Sequence, residues 1–199
     1  METRCSRPFS IGGSKRYHRR RFRSCYSLEP RYVLRFVLID RLLALEPGKR
    51  ASARADFSHA GDVLEDHFPG RPIIPGVLLT EAMAQTAGWL LASTLGFGRW
   101  PLLVMIDRAK FRRVVEPGED LRLGAEIRSM HADDFAVDTE VRIGEELVAD
   151  ARLMFHAFDF ALAGPDHERF EQWAHRIFLD IGGPQLLAAA AASPPPEPA

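Results

Sequence analysis

His67 and Glu81 are the residues of this sequence best suited to moving protons, and both fall in the stretch DHFPGRPIIPGVLLTEAMAQTAG, residues 66–88. A histidine titrates near neutral pH and serves as a base. Glu81 stands among Leu78, Leu79, Ala82, Met83 and Ala84, surroundings in which a carboxylate is costly to bury without a partner. Pro69, Pro72 and Pro75 stiffen the approach, because proline fixes φ and has no N–H to donate. Gly76 follows where a helix should start, and its missing side chain lets another group come close to the backbone. The amides from Gly76 through Val77 to about Leu78 have no acceptor inside such a helix and sit at the positive end of its dipole. They suit an oxygen that gains negative charge during a reaction. A base, a set of donors and an acid in one stretch are what proton removal beside a carbonyl requires. Taken singly, each has a plainer reading: Glu81 at a solvent rim or paired with an arginine, and His67 structural before Phe-Pro.

The elements that must hold these residues follow from periodicity. YVLRFVLIDRLLALE ends at the turn signal Pro47-Gly48, and RASARADF then alternates with Ala51, Ala53, Ala55 and Phe57 on one face. Two paired strands are expected, although the first half also reads as a short helix. Gly76–Leu95 is almost wholly apolar and too long for a strand, which predicts a buried helix. PLLVMID is a short apolar run. The segments LRLGAEIRS, FAVDTEVRI and LVADARLMFHAF alternate apolar and polar residues between short polar turns. One long apolar helix with about six strands predicts an α+β domain, an antiparallel sheet wrapped around a helix. DHERFEQWAHRIFLDI, with Phe170, Trp173 and Ile177 at helical spacing, predicts an amphipathic helix packed outside.

Composition bounds the rest. The chain has 199 residues and a formal charge of -1, which suits one domain and argues against a general nucleic-acid binder. The expected division is a basic unstructured leader over 1–30, the domain over 31–160, a helical extension over 161–188, and an Ala/Pro-rich unstructured tail over 189–199. The leader is rich in arginine and poor in acid, superficially like an organelle transit peptide, yet an unstructured tail is the plainer reading. Cys5 and Cys25 are the two cysteines and both lie in it, so the domain has no internal disulfide, as in a reducing compartment. No apolar run reaches the length of a membrane span. A cytoplasmic location is expected.

HFPGRPIIPGVLLTEAMAQTAG resembles the FabZ-type 3-hydroxyacyl-acyl carrier protein dehydratases. LLALEPGKRASA resembles the opening hairpin of that family, and MIDRAKFRRVVEPGEDLRL resembles its segment after the central helix, so the likeness runs from Phe36 to Phe155. The resemblance implies the hotdog fold and pairing of two copies through their sheets. His67 of one subunit would then face Glu81 of the other, and some members assemble further as trimers of dimers. It implies a (3R)-3-hydroxyacyl chain on acyl carrier protein as substrate and no cofactor. Two departures stand out. Asp66 replaces a usual glycine, placing a charge beside the base, and Val63 and Leu64 replace a usual aromatic pair near the acyl tunnel.

Acyl carrier protein is acidic, so Arg108, Lys110, Arg112 and Arg113 are its candidate docking residues, with ordinary strand-edge charge as the alternative. His59, Asp62, Glu65, Asp66 and His67 match no common zinc spacing, and no metal is expected. His131, His156, His167 and His175 are expected to be structural or surface residues without a partner. Two other functions compete with the dehydratase: a hotdog thioesterase, which would release a free acid, and a catalytically degenerate subunit of an acyl-carrier complex. A specialised lipid pathway is compatible with the unusual tails.

Overall fold

Pro47 and Gly48 turn the first hairpin, Gly48 at a φ of 79° that glycine adopts without strain. In the computed structural model, which describes residues 36–58, 64, 67, 70–159 and 167–192, this hairpin joins β1 (Arg41–Glu46) to β2 (Arg50–Ala55). Ala51, Ala53 and Ala55 are buried on one face of β2, as the alternation predicts. Residues 36–40 have no regular structure, so among the described residues the apolar opening is a strand only from Arg41 onward. The leader, Val63, four of the five members of the His59–His67 group (His59, Asp62, Glu65 and Asp66) and the proline-rich end lie outside the described residues.

Helix α1 (Gly76–Thr94) follows the proline loop. Its alanines and leucines favour helix, and it is buried on most of its circumference, from Leu79 through Met83 and Ala87 to Leu91. A helix apolar all round belongs in an interior rather than on a surface. Four strands come next: β3 (Trp100–Phe111), β4 (Leu121–His131), β5 (Asp134–Ile143) and β6 (Glu146–Phe158). They complete one six-stranded antiparallel sheet in the order β1-β2-β4-β5-β6-β3. Every strand touches α1. The sheet therefore wraps around the helix, which is the hotdog arrangement.

Alternation along the later strands gives the core its second half. Phe135, Val137, Thr139 and Val141 of β5 and Ala149, Ala151, Leu153 and Phe155 of β6 point inward. The Thr139 hydroxyl is buried and donates to the Ala151 carbonyl at 2.9 Å, which removes the penalty of an unmet polar group. The register shifts between Val141 and Arg142, so Val148 and Ala149 are both buried where strict alternation would bury only one.

Beyond the sheet lie α2 (His167–Asp180) and α3 (Gly183–Ala192). Two helices stand where one was expected, and the second runs through Ala192, into the stretch read as an unstructured tail. The seam that α2 buries is Ala174, Ile177 and Phe178, continued by Ile181, while Trp173 is 49% exposed. The Leu42 amide donates to the Ile181 carbonyl at 2.9 Å and α3 packs against β1, so this edge of the sheet is covered. The opposite edge, β3, is open. Of its residues only Pro101 is buried, and Leu102, Leu103, Val104, Met105, Ile106 and Phe111 are all exposed. It is also longer than the short run expected, because its pairing with β6 continues to Phe111.

Candidate active site

Glu81 sits one turn and a half into α1, half-buried. Its carboxylate accepts a hydrogen bond from Gln85 Nε2 at 3.0 Å, one turn further along the same face. Gln85 does more than this. Its Nε2 also donates to the Phe36 carbonyl at 3.1 Å, and its Oε1 accepts from the Leu38 amide at 2.8 Å. One side chain thus ties the residues before β1 to the central helix and fixes the rotamer of the acid. The sequence reading passed over Gln85, although a polar residue four places after Glu81 on an apolar helix was a usable signal.

The carboxylate opens on an apolar groove of about 370 Å³. Ala84, Gln85, Gly88 and Trp89 form its floor along α1, Leu102 and Leu103 come from β3, and Trp173 and Ile177 come from α2. His67 does not line it. The His67 amide donates to the Leu64 carbonyl at 2.9 Å and its carbonyl accepts from the Ile73 amide at 2.9 Å, while the side chain is exposed. Within one copy of the chain the candidate base and acid therefore do not share a recess.

The start of α1 forms a second recess. Ile74 is anchored by its amide to the Val115 carbonyl at 2.8 Å, which aims the chain into the helix. The Leu78 amide donates to the Pro75 carbonyl at 2.9 Å. That removes Leu78 from the expected donor set and leaves Gly76 and Val77, whose amides meet no acceptor among the described residues. Val77 is 74% exposed. The Phe111 ring explains the glycine: a Cβ at Gly76 would lie 3.0 Å from it, closer than a side chain ordinarily comes.

The four candidate docking cations are less alike than in sequence. Arg112 and Arg113 line the recess at Gly76 together with Phe111. Arg108 reaches Asp150 at 3.5 Å, and Arg112 meets the buried Asp150 Oδ1 as a charge contact. Arg113 is held by Glu119 at 2.7 Å and Glu146 at 3.1 Å. The Arg113 guanidinium holds the Glu119 carboxyl below the usual carboxylate range. Lys110 alone of the four has no acidic partner among the described residues. His156, expected to lack a partner, has one: its Nδ1 lies 2.7 Å from Asp134 Oδ1 across the β5–β6 pairing.

A helix wrapped by a six-stranded antiparallel sheet, with an acid opening on an apolar groove, defines a hotdog protein. The model of the FabA-like domain matches residues 31–152, and the chain belongs to that family. Among its relatives is a 3-hydroxyacyl-[acyl-carrier-protein] dehydratase FabZ of Symbiobacterium thermophilum, 44% identical over 131 residues, covering 65% of this chain and 92% of that one. A protein of the same name from Pelotomaculum thermopropionicum is 38% identical, covering 60% and 86%. Among solved structures, Cj0977, a sigma28-regulated virulence protein from Campylobacter jejuni, matches with a TM-score of 0.52 at 11% identity, covering 64% of this chain and 89% of that one. This last likeness shows the fold alone.

Proposed function

We propose that the protein dehydrates (3R)-3-hydroxyacyl-acyl carrier protein to the trans-2-enoyl thioester in the synthesis of fatty acyl chains. The observation that carries this reading is the half-buried Glu81 carboxylate at one end of an apolar groove, in a chain related at 44% identity to a FabZ dehydratase. The thioester carbonyl accepts hydrogen bonds from the Gly76 and Val77 amides, which stabilises negative charge as the α-proton leaves. His67 takes that proton from C2. The electron pair forms the C2–C3 double bond, the C3–O bond breaks, and the leaving hydroxyl takes a proton from the Glu81 carboxylic acid to depart as water, which leaves His67 protonated and Glu81 ionised until that proton is returned. Every step is a proton transfer or an elimination, so the chain's own residues suffice.

The working unit is a homodimer. β3 offers an open edge with a run of exposed apolar side chains, the kind of edge that proteins cover or pair. Pairing two copies through β3 extends the sheet, and it supplies a second His67 to the Glu81 groove that lacks its own. The acidic carrier protein docks on the basic stretch of Arg108, Lys110, Arg112 and Arg113.

Mass spectrometry of 3-hydroxyacyl-acyl carrier protein after incubation tests the reading. Loss of one water from the carried acyl group is expected, abolished by His67→Ala and reduced at least about a hundredfold by Glu81→Gln. A free acid would identify a thioesterase instead, and an unchanged substrate would identify a catalytically degenerate subunit.

A further inference from the structure

The groove beside Glu81 ends against residues that belong to no part of the FabA-like match. That match stops at residue 152, yet Trp173 and Ile177 of α2 line the groove. They stand at the end of a continuous aromatic partition. Trp173 lies against Phe170 with ring centroids 5.6 Å apart, Phe170 meets Trp100 edge-on at 5.0 Å, and Trp100 meets Trp89 edge-on at 5.4 Å. Trp89 in turn stacks on Phe178 at 5.4 Å. Behind this partition is a second apolar cavity of about 480 Å³, walled by Phe97, Phe170, Ala174, Phe178 and Leu187. Trp100 is the one described residue that lines both.

The near half of the groove has its own signature. Gly88 lies in the interior of α1, where glycine costs about 1 kcal/mol relative to alanine. No packed neighbour demands it, since a Cβ there would have nothing within 4 Å. What lies over Gly88 is the groove itself. Its missing side chain keeps the floor open between Glu81 and the aromatic wall.

We propose that the C-terminal helical extension closes the acyl groove, and that Trp100 and Trp173 set the longest chain the enzyme accepts. The inference rests on the dehydratase reading above, with the occupant being the alkyl part of the acyl thioester. Glu81 and Gly88 are separated by about 10 Å along the helix axis. An extended alkyl chain gains about 1.25 Å per carbon from its bond length and angle. Roughly eight carbons beyond the reacting pair then fill the groove, so chains of roughly ten to twelve carbons are preferred and longer ones meet the partition.

Competition kinetics on the full-length protein, with short-, medium- and long-chain 3-hydroxyacyl-acyl carrier protein, tests this. The readout is the ratio of long- to medium-chain kcat/KM. Trp100→Ala joins the two cavities and raises that ratio by roughly tenfold or more, since each methylene newly placed on apolar surface is worth about fourfold in binding. Trp173→Ala, at a half-exposed position where folding is not at stake, moves the ratio the same way, and Trp173→Phe restores it. Gly88→Leu fills the floor and shifts preference toward short chains. A chain-length profile that stays the same in all of these variants, while water is still eliminated, overturns the groove assignment and leaves the dehydratase intact. No elimination from any chain length by the unsubstituted protein overturns both.

Discussion

At the scale of single residues, Glu81 depends on Gln85. Two donors and one acceptor of that amide are engaged, with Glu81, with Phe36 and with Leu38. A hydrogen bond to a charged group is worth about 1.5–3 kcal/mol. Gln85→Ala is therefore expected to lower kcat by roughly tenfold to a hundredfold with a much smaller change in KM, because it frees the acid from its position while the apolar residues that line the groove, Trp89, Leu102, Leu103 and Trp173, stay in place. Steady-state kinetics separates the two parameters. A rise in KM with kcat unchanged would make Gln85 a binding residue instead. Gly76 follows a related logic: the ring of Phe111 occupies the place a side chain would take, so only glycine fits at the start of α1.

Among the elements, the end of β3 and the loop after it carry the charge proposed to meet a carrier protein, and their pairing decides which cation is available. Arg108 and Arg112 share Asp150, and Arg113 is clamped between Glu119 and Glu146. An arginine already bound to acids gives less to an approaching acidic surface than an exposed lysine does. Lys110→Glu is accordingly expected to raise KM for carrier-bound substrate by about tenfold at low salt, with less effect as salt screens the surface. The same acyl group on a short pantetheine thioester should be unaffected. A KM that rises equally for both substrates would remove Lys110 from docking. Charge reversal at Arg112 or Arg113 is a poorer probe, since it also strips partners from Asp150, Glu119 and Glu146.

For the whole molecule, the question is whether His67 and Glu81 act across subunits. Their separation within one copy and the open β3 edge both favour it. His67→Ala and Glu81→Gln proteins, each inactive alone, should regain about one quarter of native activity when their subunits are exchanged. Half of the dimers are then mixed, and each mixed dimer has one intact site of two. Activity that fails to return after verified subunit exchange would place both groups in one chain. The two edges of the sheet differ: β1 is covered by the chain's own extension, and β3 is open, which is the edge proposed for a second copy.

What the sequence determined by itself was local in character. Alternation in RASARADF, FAVDTEVRI and LVADARLMFHAF set which side of each strand is buried, because strand side chains alternate with a period of two. The apolar run from Gly76 marked the central helix, since only an interior helix is apolar all round. The prolines and glycine before it marked where unpaired amides lie, and the family motifs pointed to His67 and Glu81 as a pair. Tertiary structure decided what depends on distant parts of the chain meeting. It assigned the Leu78 amide to Pro75, brought Gln85 against Phe36 and Leu38, and bound three of the four candidate docking cations to acids on β6. It also split the C-terminal extension into two helices and set Trp173 at the groove's end, where spacing alone had placed that residue in a helical seam. Periodicity reports which face of an element is apolar, but what covers that face depends on contacts between segments far apart in the chain, and no local pattern encodes them.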